Sequence, residues 1–390
     1  MLKTFIFQTG HGKELAKAEL DAVLKGGFQD DVFDGLVYEA EINHADILQE
    51  RLGGTIRITE VLQKAPEHMP VNFVQWVTDA VIQEVKHKGG KIRFGLSMHP
   101  KSDKNLKKIL INSKKNLKEK LGNLRFVNKD FQNLSSAQAF HENLITDHTI
   151  ELHLFLSEKF WYLSKTLSIQ NIEWYSHRDM NRPARDPKTG MFPPKLAQML
   201  INLAQPNKTV YDPFCGSGTV LQEAWLMGYA ARGSDLEPRL VEDSIQNMAW
   251  LKNVAELPEE TPTIFPADAR TLTKNDLPSE PFVIVTETWL GPAMSNFPNS
   301  MDLRKIQQEA ESIYEDFFKN LKSIIKEPVT VIFTAPFHRE KNERHLLSHL
   351  PEILEKYGEI QPLSDHERSS LFYERKEQIV GREIWKVVLS

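Results

Sequence analysis

Cysteine is nearly absent from this chain: Cys215 is the single one in 390 residues. That excludes an internal disulfide and any zinc site built on several cysteines. Also missing is an apolar run approaching the roughly 18 residues that a membrane helix needs. The start, MLKTFIFQTG, has neither the basic head nor the long apolar core of a signal peptide, so a cytoplasmic protein is the expectation. Internal repeats and low-complexity stretches find no support. A strong overall charge is lacking as well, the net value being −5, which by itself argues against a nucleic-acid protein. The average conceals a segregation. Residues 86–129 hold 14 Lys or Arg against Asp103 and Glu119 alone, an excess of +12 that leaves −17 for the remainder. Local excess of this kind is what phosphate binding requires.

Among what is present, residues 209–219, TVYDPFCGSGT, organise the rest. A strand-like apolar lead meets a turn that only small residues can make, and a helix follows. Gly216 and Gly218 can take positive φ, so backbone N–H groups at the head of that helix can close on a ligand. No Lys-Ser or Lys-Thr follows the glycines, which argues against a P-loop, and the spacing is not GxGxxG. Glycine in a tight strand-to-helix turn has a purely steric explanation too. The order of acids adds what the glycines alone do not. Asp212 ends one candidate strand, Asp235 in ARGSD ends a second, and Asp268 in FPADAR a third. An acid closing the second strand would reach the two hydroxyls of a ribose. Cys215, inside the turn, reads as a packed small residue rather than a nucleophile.

DPFCGSGT resembles motif I of the Rossmann-like methyltransferases that use S-adenosylmethionine. The resemblance implies that Asp212 faces the methionine amino group, Asp235 the ribose and Asp268 the adenine amine. Phe214, Gly216, Gly218 and Thr219 complete the implied cofactor set.

Taken in order, residues 1–60 alternate short strand candidates with a helix over 13–25, a small α+β unit. GKELAKAELDAVL and RLGGTIRITE resemble the N-terminal ferredoxin-like domain of tRNA guanosine methyltransferases that carry a THUMP domain. Residues 61–165 read as a second α/β layer. Within it KNLKKILINSKKNLKEKL sets Leu106, Ile109, Leu110, Leu117 and Leu121 on one helical stripe and covers the rest with lysines. A solvated face is the bland reading of such a helix. FGLSM and NLSSAQAFHENL resemble THUMP, a tRNA-binding module, which makes Lys107, Lys108, Lys114 and Lys115 candidate RNA contacts. Residues 166–190 read as a linker whose Arg178, Arg182 and Arg185 could meet phosphates or bridge two domains. YSHRDMNRPARDPKTGMFPPKLAQMLINLA closely resembles the linker and first helix of the same enzymes, in which residues 191–194 would border the cofactor. From 191 to 390 helices and continuous apolar strands alternate, the pattern of a doubly wound sheet. GREIW near the C-terminus adds to the resemblance.

The fourth strand of that sheet, FVIVTE, would deliver TETWLGP to the reacting end. The family holds Asp or Asn, then Pro-Pro, then an aromatic there. This chain departs from it: Glu287 keeps the acid, Trp289 offers an aromatic, and the rigid Pro-Pro is absent. A carboxylate can accept the amine hydrogens and Trp289 could stack on a flipped base; alternatively Glu287 is a loop acid and Trp289 fills the core. The expectation is an α/β protein, a Rossmann-like methyltransferase sheet preceded by ferredoxin-like and THUMP α+β domains. It would transfer a methyl group to the exocyclic N2 amine of a guanosine in tRNA, with no metal. The rivals are an enzyme of the same architecture acting on ribosomal RNA or another base, and a non-catalytic RNA-binding protein.

Overall fold

The computed structural model describes residues 1–10, 12–85, 92–121, 124–146, 148–185, 191–294, 296–341, 343–364, 368–375 and 378–390. Its contacts divide the chain into two compact units, Met1–Glu173 and Trp174–Ser390.

The first unit runs β1 (Lys3–Thr9), α1 (Lys13–Leu24), β2 (Phe28–Val32), β3 (Gly35–Ala40), α2 (Ala45–Arg51), β4 (Thr55–Pro66), α3 (Phe73–Val85), β5 (Ile92–His99), α4 (Asp103–Leu121), β6 (Leu124–Phe126), α5 (Ser136–His141), β7 (Thr149–Leu156) and β8 (Phe160–Ile169). One sheet of order β2-β3-β1-β4-β8-β7-β5-β6 holds all eight strands. Two apolar clusters lie along it. Phe5, Phe7, Leu20, Leu36 and Tyr38 make one, and Val77, Val81, Phe94, Leu96, Leu106 and Leu110 anchor the other. β4 joins them, pairing antiparallel with β1 (Phe5 opposite Glu60) and with β8 (Pro66 opposite Phe160). The boundary expected between residues 60 and 61 therefore falls inside one continuous strand. On α4 the expected stripe is buried at Leu106, Ile109, Leu110 and Leu117, while the lysines at 104, 107, 108, 114, 115, 118 and 120 are exposed.

The stretch expected as a linker, 166–190, is largely regular: β8 runs to Ile169 and α6 spans Ile172–Met180. Residues 186–190 of it lie outside the described residues, as do 86–91 and 122–123 of the basic segment.

After α6 the second unit adds α7 (Pro194–Ala204), β9 (Thr209–Asp212), α8 (Thr219–Leu226), β10 (Ala230–Asp235), α9 (Pro238–Ala255), β11 (Thr263–Pro266), β12 (Phe282–Glu287), α10 (Ser300–Ile324), β13 (Val329–Glu340), β14 (Glu343–His345), α11 (Leu350–Tyr357), β15 (Glu359–Ile360), β16 (Leu371–Tyr373) and β17 (Val380–Leu389). Five parallel strands in the order β11-β10-β9-β12-β13 continue into antiparallel β17 and then β15. Val283, Ile284 and Val285 of β12 and Val331, Ile332 and Phe333 of β13 are buried in succession, as strands covered on both faces must be. Tyr314, Phe317, Phe318 and Leu321 of α10 pack into the same core as Ile284, Val331 and Phe333. The chain lays β10 and β11 on one side of β9, then crosses to place β12 on the other. Strand order thus reverses between β9 and β12, where open α/β sheets bind ligands beyond their carboxyl ends. This is the expected doubly wound fold. No described helix is long and apolar enough to cross a membrane.

Candidate active site

β9 ends at Asp212 and the chain turns through residues 213–218 into α8. Gly216 at φ +51° and Gly218 at φ +86° hold left-handed conformations, which residues with a Cβ adopt only under strain. A Cβ on Gly218 would lie 2.3 Å from the Ser244 hydroxyl oxygen of α9, whereas at Gly216 nothing stands within 4 Å. One glycine thus lets two helices close together, and the other leaves room beside the cavity it lines. Three bonds pin the turn. The Cys215 N–H donates to the Ser234 carbonyl at 2.9 Å, Gly216 N–H to Asp235 Oδ2 at 2.8 Å, and Gly218 N–H to the Cys215 carbonyl at 2.8 Å. Burial pushes the Cys215 thiol up, which suits the packed role rather than a nucleophile.

A cavity of about 170 Å³ opens here, lined by Met191, Phe192, Asp212, Phe214, Gly216, Thr219 and Glu287 among others. Asp212 is buried, and its Oδ1 accepts from Thr286 Oγ1 at 2.6 Å and from the Phe214 N–H at 3.1 Å. Burial raises its carboxyl to about 8 against the pull of these two bonds, and Asp235 and Glu287 add to the rise. Burial disfavours the ionised form of this carboxyl, and an incoming cation would stabilise that form. Asp235 stands at the end of β10 with Oδ2 on Gly216 and Oδ1 accepting from the Glu237 N–H at 3.0 Å. Burial raises its carboxyl too. Phe214 rests edge-on against Phe317 with ring centroids 5.2 Å apart.

Across the switch point, Glu287 ends β12 and enters the cavity wall. Arg382 of β17 donates through Nε to its Oε1, and the two side chains are 6% and 16% exposed. Burial raises the Glu287 carboxyl while Arg382 opposes the rise. The guanidinium of Arg382 also lies 5.7 Å from the ring centroid of Phe192, another cavity residue. Residue-by-residue reading missed Arg382 as a site residue, although GREIW, which contains it, was a visible signal. Thr286 was missed because one hydroxyl in an apolar strand announces nothing.

Two expected RNA contacts need correction, and two other expected site residues lie, like Asp235, outside the lining of this cavity. Asp268 does not line the cavity: its Oδ1 accepts from the Arg270 Nε at 2.9 Å and its Oδ2 from Nη2 at 2.7 Å, so both oxygens are engaged by a neighbouring cation. Trp289 is half-buried against the core of the second unit and is not part of the cavity wall. Arg178 is no surface contact, because Glu223 of α8 takes its Nε at 2.8 Å and its Nη2 at 3.0 Å with both side chains buried. Arg182 is buried as well, donating from Nη1 to Thr219 Oγ1 at 2.6 Å. Arginine in a polar stretch looks the same in sequence whether it faces water or the head of a helix.

Residues 182–340 match a family described as RMKL-like methyltransferase domains. A second family, described as DNA methylase, matches residues 70–246 and includes the glycine turn. A tRNA (guanine(10)-N2)-dimethyltransferase of Methanothermobacter thermautotrophicus is 27% identical over 166 residues, 42% of this chain and 44% of the relative. One of Methanocaldococcus jannaschii is 31% identical over 108 residues, 27% of this chain and 30% of the relative. The matched stretch spans less than half the length of either curated relative. Among solved structures, TrmN from Thermus thermophilus superposes with a TM-score of 0.55 at 15% identity, covering 100% of both chains. A possible methylase from Clostridium difficile 630 gives 0.55 at 12%, covering 99% of this chain and 98% of that one. At these identities the likeness is one of fold, and it covers both units.

Proposed function

We propose that the cavity at the end of β9 binds S-adenosylmethionine and that the protein methylates the exocyclic N2 amine of a guanosine in tRNA. The observation that carries this reading is Asp212, a buried carboxyl without a cationic partner among the described residues, at the switch point of a doubly wound sheet. The residues present fit the cofactor. Asp212 would accept from the methionine amine, the open side of Gly216 would admit the chain that bears it, and Asp235 would take the ribose. S-adenosylmethionine supplies, when bound, a methyl group on a positively charged sulfur. Glu287 has a second oxygen, Oε2, beyond the one Arg382 holds, and it would accept from the target amine and oppose the charge that develops on nitrogen. On accepting that methyl the amine would carry a positive charge beside Glu287 and would then release a proton to solvent. Much of the rate would come from holding nitrogen and methyl in line.

The tRNA substrate is supported by what the relatives are named for and by the exposed lysine face of α4. In this reading the two cores of the N-terminal unit are its ferredoxin-like and THUMP parts, sharing β4, and the protein works in the cytoplasm. Trp289 would support the loop after β12 from beneath rather than stack on the base. The test is direct: incubate unmodified tRNA with enzyme and labelled cofactor, digest to nucleosides and identify the product by mass. N2-methylated or N2-dimethylated guanosine is expected. A labelled adenosine or cytidine product would overturn the choice of base, and binding of both ligands without any product would favour a non-catalytic RNA-binding protein.

A further inference from the structure

β13 runs past the end of β12. Glu287 pairs with Thr334, whereas β13 continues to Glu340 and pairs there with β14 as a two-stranded ribbon. Within the ribbon Arg339 stands directly opposite Arg344, and Glu340 opposite Glu343. Side chains alternate across a strand, so the two arginines share one face and the two acids take the other. Like charges directly opposite each other destabilise a strand pair, which asks for an anion beside the arginines. An open cleft of about 370 Å³ lies there, lined by Arg339, Lys341, Arg344 and Glu374, three cations against one carboxylate.

Glu374 follows β16. Its Oε1 accepts from Arg344 Nη2 at 2.7 Å and its Oε2 from Arg344 Nε at 3.4 Å. These bonds lead in holding its carboxyl below the usual carboxylate range, and the charges of Arg344 and Arg339 add to them against partial burial. The Arg344 guanidinium is also fixed by stacking, 4.4 Å from the Phe372 ring centroid and 5.6 Å from that of Phe337. Lys341 is exposed on the cleft wall. A guanidinium fork held in place, with two more cations and a single carboxylate around it, is suited to a phosphate. The place of the cleft says which phosphate. Arg382, which holds Glu287, pairs with Pro336, three residues before Arg339. Measured along β13, the cleft therefore begins roughly 10 Å beyond that pair, at the carboxyl end of the sheet. This position suits a backbone phosphate beside the target nucleotide rather than its base. We propose that Arg339, Lys341 and Arg344 bind an RNA backbone phosphate flanking the target nucleotide, and that Glu374 occupies the arginines until the phosphate displaces it. This rests on the tRNA reading above and gives the second unit an RNA contact of its own, separate from the lysines of α4.

The test is equilibrium binding of unmodified tRNA at several salt concentrations. Lys341→Gln and Arg344→Gln should each lower affinity roughly tenfold, the scale of one charge-assisted hydrogen bond, and reduce the salt slope by about one. Glu374→Gln should instead raise affinity, because it removes the competing carboxylate. Lys326→Gln removes the same charge from an exposed position just before β13, at the opposite end of the sheet, and should change neither quantity. Melting temperatures identify any variant that has not folded, and then Lys341→Gln decides. Unchanged affinity in Lys341→Gln and Arg344→Gln overturns the site, as do losses that Lys326→Gln matches, since net charge alone would explain them. Unchanged or weaker binding by Glu374→Gln overturns the displacement. A wild type that does not bind tRNA sinks the tRNA reading and the cleft with it, an outcome distinct from the others.

Discussion

At the scale of single residues, a ligand amine bound at Asp212 would couple binding to protons. Its carboxyl, raised to about 8 chiefly by burial, is mostly protonated at pH 7. A cationic amine binding beside it favours the ionised form, so calorimetry at pH 7 in buffers of different ionisation enthalpy should show release of about one proton per S-adenosylmethionine bound. Enthalpies independent of buffer would show Asp212 ionised beforehand or remote from the amine. Glu287 makes a second prediction. Glu287→Gln keeps the shape but leaves Arg382 with a neutral partner, and the single-turnover methyl-transfer rate should fall about 10²- to 10³-fold, typical of one lost electrostatic stabiliser. Affinities for cofactor and tRNA should hardly move. A rate equal to wild type, with binding intact, would make Glu287 a purely structural partner of Arg382. At this scale the sequence showed which acids end which strands. It could not show which of them find arginines, since Arg270 lies two residues from Asp268 while Arg382 lies 95 residues from Glu287.

At the scale of elements, α4 is where a charged face meets a buried stripe. If that face binds tRNA phosphates, replacing Lys107, Lys108, Lys114 and Lys115 by Glu should cut tRNA affinity and flatten its dependence on salt. Leu106, Ile109, Leu110 and Leu117 remain buried in the variant, so folding and cofactor binding should persist; unchanged affinity and slope would make the face merely solvated. Periodicity made α4 legible because its apolar stripe repeats at helical spacing over 19 residues. The parallel strands β12 and β13 were legible for a different reason, their unbroken apolar runs, and β9 and β10 by the acids that end them. β8 went unseen. Its FWYLSKTLSI mixes buried and half-buried positions, and pairing with β4, distant in sequence, and with its hairpin neighbour β7 fixes it as a strand. α6 was hidden likewise: its helix is anchored by Arg178 on Glu223, 45 residues away, not by an apolar stripe of its own.

At the scale of the whole molecule, the two units should answer differently to acid. In the first, burial holds His153 down at about 4, and Glu151, despite its own burial, is held at about 2 by Arg57 and His153. The unfolded chain takes up the histidine proton near 6.5 and the folded one only near 4, so stability is lost as pH falls through that window and Glu151 extends the loss below it. In the second unit burial likewise lowers His338 to about 4. Asp212 acts in the opposite sense, because its folded carboxyl keeps to about 8 a proton that the unfolded chain gives up near 3.8, so its share of stability grows as pH falls. Hydrogen exchange at pH 7 and pH 5, corrected for intrinsic rates, should therefore show protection falling more in β7 than in β12. Equal protection in β7 at both values would mean that His153 is already charged, or hydrated, in the folded protein.

β4 carries one more consequence, for inheritance rather than for folding. A chain divided between residues 60 and 61 would leave half a strand on either side, each half with bare hydrogen-bonding edges that pair readily with other molecules. A crossover between related genes at that point would hand each descendant an incomplete sheet. The two halves of the N-terminal unit are therefore expected to be inherited as one piece.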